Sequence, residues 1–93
     1  MIITVAKGTF SSKDAEELIT KMIHVKIVYH ENRIKAAGNN AEESKMREKR
    51  IIQLQKELFE LRRYLQHNPG EINLDAGIEL SGSETQMNNS LLK

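Results

Sequence analysis

The sequence predicts a mainly α protein built on one long antiparallel αα-hairpin, and three observations carry that reading. Leu18, Met22, Val25, Tyr29 and Ala36 recur at the alternating three-and-four spacing that keeps residues on one side of a helix. Ile51, Leu54, Leu58, Leu61 and Leu65 do the same further along the chain. Between the two runs stands Gly38-Asn39-Asn40, a helix stop followed by a helix start. Short β segments at 2–6 and 72–80 complete the expected architecture, and two such hairpins are expected to dimerise into a four-helix bundle.

Taken in order, Ile2 to Ala6 is rich in Ile, Thr and Val, which suits a short strand. Lys7-Gly8-Thr9 reads as a turn. Ser11 or Ser12 then caps the first helix, and Asp14, Glu16 and Glu17 place negative charge at the positive end of its dipole. This helix is expected over about 12–37, closed by Gly38 in a left-handed conformation. Asn40 caps the second, with Glu43 three residues on, as in a capping box. The second helix is expected over about 41–67, with Arg62, Arg63 and His67 in its last turns and Asn68-Pro69-Gly70 as its stop. Beyond it Ile72 and Leu74, then Ile78 and Leu80, alternate with polar residues, as in one strand or in two with a turn at Asp75-Ala76-Gly77. The hairpin returns both terminal segments to one pole, where a small sheet is expected to pair them. Residues 1–80 form the expected domain, and the Ser, Gly, Asn and Gln of 81–93 read as a disordered tail.

The first helix carries a second apolar row beside the first: Ile19, Ile23, Ile27, Ile34 and Ala37. Together the rows span about 200° at ~100° per residue, wider than packing against one neighbour requires. The expected arrangement sets Leu18, Met22, Val25 and Tyr29 against the leucines of the second helix. Ile19, Ile23, Ile27, Ile34, Ile52 and Phe59 then form the surface for a second copy or another protein partner. Lys26, His30 and Arg33 interrupt the apolar rows. They are read first as stems that cover apolar surface while their heads reach solvent, Glu57 or Glu60. The sharper reading is a polar seam or anion pocket.

Composition narrows the function classes. Fourteen basic against 13 acidic residues leave a net charge of +1, too little for field-scale attraction to nucleic acid or an anionic membrane. Lys45, Arg47, Lys49 and Arg50 followed by the heptad leucines superficially resemble a leucine-zipper DNA-binding protein over residues 45–65. Glu42, Glu43 and Glu48 interrupt that block, no base-reading asparagine accompanies it, and Arg47 has Glu43 as an i,i+4 partner. Nucleic-acid binding by the start of the second helix is therefore the alternative and not the main reading. His24, His30 and His67 match neither Glu-x-x-His nor His-x-x-x-His, so no metal is expected. No nucleophile–base pair or phosphate-cradling glycine pattern stands out, so neither catalysis nor a cofactor is expected. With no cysteine and no long apolar stretch, the expected setting is the cytoplasm, without a membrane. The expected function is a self-associating structural or protein-interaction module.

Overall fold

The computed structural model describes residues 1–82, and the expected tail from 83 onward lies outside the described residues. The element order is β1 (Ile2–Ser11), α1 (Ser12–Ala37), α2 (Ala41–His67) and β2 (Glu71–Glu79). The molecule is mainly helical: α1 and α2 form the hairpin, and β1 and β2 pair as a two-stranded antiparallel sheet. No helix among the described residues is long and apolar enough to cross a membrane.

The caps read from the sequence set the helix bounds. The Ser11 side chain accepts from the Asp14 backbone N–H at 3.0 Å, satisfying one of the free donors of the first turn of α1. Gly38 ends α1 with φ +59, a value open to glycine at no steric cost. Asn40 Oδ1 accepts from Glu43 N at 3.1 Å. The Glu43 carboxylate is turned instead to arginines, lying 3.6 Å from Arg33 and 3.7 Å from Arg47. At the far end of α2, Asn68 donates from its side chain to Tyr64 O at 2.8 Å and from its backbone to Leu65 O at 3.2 Å. Ser12 clamps the two helices where they meet the sheet: its N–H donates to Gly70 O at 2.8 Å and its hydroxyl to Leu65 O at 3.4 Å.

The two terminal segments pair as a small sheet, as expected, but β1 runs beyond the expected 2–6. Lys7-Gly8-Thr9 is no turn; β1 runs unbroken from Ile2 to Ser11, facing Asp75, Leu74 and Asn73 at those positions. Asp75-Ala76-Gly77 is no turn either, and β2 is one continuous strand. The cause lies in side-chain phase. In β1 the apolar residues are odd-numbered at Ile3 and Val5 but even-numbered at Ala6 and Phe10, which no regular strand can keep on one face. A bulge between Thr4 and Ala6 absorbs Val5 as an extra residue and resets the phase. Ile3 then pairs with Ile78, Ala6 with Ala76, Gly8 with Leu74 and Phe10 with Ile72, all on one face. The other face is polar apart from Ile2: Lys7 stands opposite Asp75, and Thr9 donates to Asn73 Oδ1 at 3.1 Å.

α1 touches both α2 and the two strands, while α2 and the strands make no contact, so α1 is the central element of a slab. The described body measures 55 × 33 × 15 Å. Its core is minimal: Ala15, Leu54 and Leu65 are the buried hydrophobic residues.

Candidate functional site

Two features stand out on this frame: an apolar surface spread over α1, α2 and the sheet, and a cationic cavity between the helices.

The apolar surface reverses the expected division of labour on α1. Val25 and Tyr29, expected to face the leucines of α2, are 67% and 54% exposed. Leu18 and Met22 of that row are half-buried, and Ala36 is exposed. Ile19, Ile23, Ile27 and Ile34, expected at an intersubunit surface, are half-buried within the hairpin seam. Ser12 and His30, whose side chains reach α2, fall with these isoleucines inside an arc of about 80° at ~100° per residue, while Val25 points nearly opposite. Both rows satisfy helical spacing, so periodicity alone did not choose between them. The sheet chose, because it flanks the other side of α1. There Val5 and Phe10 face Leu18 and Met22 across an open cleft of about 530 Å³, rimmed by Asp14, Glu17 and Lys21. Ile52 and Phe59, expected as contact residues, are 52% and 62% exposed on the outer side of α2. Arg63 stacks 6.0 Å from the Phe59 ring, and Lys56 shares its surface.

The cavity between the helices holds about 270 Å³. Lys26 and His30 line it from α1; Arg47, Arg50, Gln53 and Glu57 line it from α2. Met46 and Leu54 supply its apolar wall. Lys26 and His30 are thus brought together as the sequence suggested, but Arg33 is drawn away to Glu43. Sequence reasoning missed Arg47 and Arg50 as members of this cluster. The signal was present in the position of the turn: folding back at Gly38 sets each residue of α1 opposite a predictable residue of α2, His30 by Arg47 and Ser12 by Leu65.

Arg47 is the hub. Its Nη1 lies 3.1 Å from His30 Nδ1, its Nη2 3.7 Å from Glu43, and its guanidinium carbon 5.6 Å from the Tyr29 ring centre. The edge of the His30 ring meets Tyr29 at 5.4 Å between centroids. An arginine can only donate, so His30 Nδ1 accepts, and the imidazole is neutral with its proton on Nε2. The same conclusion follows from electrostatics. Burial, then the charges of Arg47, Arg50 and Lys26, hold the His30 pKa below its usual 6.5. Arg47 Nε is buried and has no hydrogen-bond partner among the described residues.

No protein-family model matches the chain, and neither does any curated protein or solved structure.

Proposed function

We propose that the chain is a self-associating structural or protein-interaction module whose working unit is a homodimer. One observation carries the reading: three hydrophobic side chains are buried among the described residues, while thirteen large ones are exposed. The accessible surface is 7720 Å², against about 5,500 Å² for a compact chain of 10.7 kDa. The open, elongated shape thus leaves surface that a second copy could cover. In the proposed dimer the Ile52–Phe59 edge of each copy seats in the other's cleft between Val5, Phe10, Leu18 and Met22, the two contacts related by a two-fold axis. The net charges suit this pairing: Lys56 and Arg63 flank the edge beside Glu60, and Asp14 and Glu17 rim the cleft beside Lys21, which pairs with Glu17 at 3.2 Å. Four helices are brought together, as in a bundle, and the cytoplasm is the proposed setting.

Light scattering behind size exclusion tests the proposal. The wild-type chain is expected to run as a dimer at micromolar concentration, and Phe59→Glu as a monomer with unchanged helical circular dichroism, since Phe59 is 62% exposed. A wild-type monomer across the concentration series would overturn it.

A further inference from the structure

The cationic cavity lies apart from the apolar surfaces that the dimer would use. Its lining groups form an imbalance of charge and of hydrogen bonding. Lys26, Arg47 and Arg50 bring three permanent cations against one carboxylate, Glu57. Donors outnumber acceptors as well: both arginines, the lysine, the Gln53 amide and His30 Nε2–H donate, whereas Glu57, the Gln53 carbonyl, His30 Nδ1 and, behind Arg47, Glu43 accept. Arg47 is held in place by His30 on one side and Glu43 on the other, its side chain 16% exposed. Pre-ordered guanidinium donors in surplus match the oxygens of a doubly charged tetrahedral anion. The volume, about 270 Å³, would hold roughly nine waters at about 30 Å³ each, enough for a phosphoryl group with a small organic body.

We propose that this cavity is a binding site for a phosphoryl dianion, either inorganic phosphate or a small phosphate monoester. A phosphodiester strand is the poorer occupant, because Glu42 and Glu48 stand beside the basic residues of α2 and the chain as a whole carries a charge of only +1. The bound dianion offsets the three cations around His30, so binding raises the proton affinity of the imidazole.

The test is thermal melting of the full chain at constant ionic strength in chloride, inorganic phosphate, glycerol phosphate or a short single-stranded DNA oligonucleotide. Lys26→Gln/Arg50→Gln serves as the comparison, since both side chains are exposed and their loss spares the fold. Phosphate or glycerol phosphate is expected to raise the wild-type melting temperature by several degrees, increasingly with ligand concentration, and to leave the double variant unmoved. A larger rise with phosphate than with glycerol phosphate identifies the free ion as the ligand; the reverse identifies a monoester. The imidazole ¹⁵N shifts of His30 should move toward the protonated form as phosphate is added. Equal shifts in wild type and variant would reduce the effect to general salt and overturn the proposal. A larger rise with the oligonucleotide, collapsing steeply with salt, would overturn it in favour of a nucleic-acid surface.

Discussion

At the scale of single residues, His30 ties the two helices to pH. It faces Lys26 on its own helix, Arg47 and Arg50 on α2, Glu57 across the cavity, and Glu43 behind Arg47. Its pKa is lower in the folded state than the unfolded value of about 6.5, so the unfolded chain binds the proton more readily. This contribution to stability is full above 6.5, declines as the pH falls through 6.5, and levels off below the folded pKa. Melting curves of wild type and His30→Gln in a phosphate-free buffer between about pH 5 and 8 are expected to diverge accordingly, with only the wild type carrying the His30 loss on the acid side. Matching pH slopes for the two proteins would show that the imidazole is free to protonate in the fold.

At the scale of elements, the helices and the pairing of the two terminal segments are legible, and the length of β1 and its bulge are not. Ser11, Gly38, Asn40 and Asn68-Pro69 each mark a helix end by a local rule, and the observed bounds of Ser12–Ala37 and Ala41–His67 follow them. The phase break between Val5 and Ala6 looks, in one dimension, like the end of a strand. Its resolution as a bulge depends on Ala76 and Gly77, more than seventy residues away. Gly8 was misread for a related reason, since glycine marks turns, whereas here it allows an extended strand to pass through φ +139. That gives a test with opposed signs. β-Propensity alone says that Gly8→Val should stabilise a strand. The positive φ says that it costs about 1–3 kcal/mol, and the melting temperature is expected to fall by more than about 5 °C. A rise would mean that the backbone at Gly8 is ordinary β. The cationic cavity was half legible: Lys26 and His30 share a side of one helix, but their partners Arg47 and Arg50 join them only when the hairpin closes.

At the scale of the whole molecule, shape carries the functional argument. A body 15 Å thick is a single layer of helices, and a layer has no interior. The radius of gyration, 17.5 Å, exceeds the roughly 12 Å of a compact domain of this size. Among the described residues, apolar rows lie open at Val25 and Tyr29 on α1 and at Ile52 and Phe59 on α2. The same geometry explains why the sequence overstated the core: ten seam residues were counted, yet of these Leu54 and Leu65 alone are buried.

The placement of the two strands at opposite ends of the chain also sets an order of assembly. Ser11 and Glu71 are distant in sequence, and searching for that pairing in an open coil would be slow. Once α1 and α2 close through their own short turn, Ser12 N–H meets Gly70 O and the strands start side by side. The sheet can then zip outward, from Ser11 and Glu71 to Ile2 and Glu79, as the final event, and on opening it frays in the reverse direction. Amide hydrogen exchange is expected to be slowest around Leu54 and Leu65, intermediate at Phe10 and Ile72, and fastest at Ile3 and Ile78. Uniform protection along the strands would mean that the ribbon and the hairpin melt as one unit. If the zipper runs as described, the hairpin is a folding template that spares the chain a long search, and the strand tips are the part of the native state that breathes first.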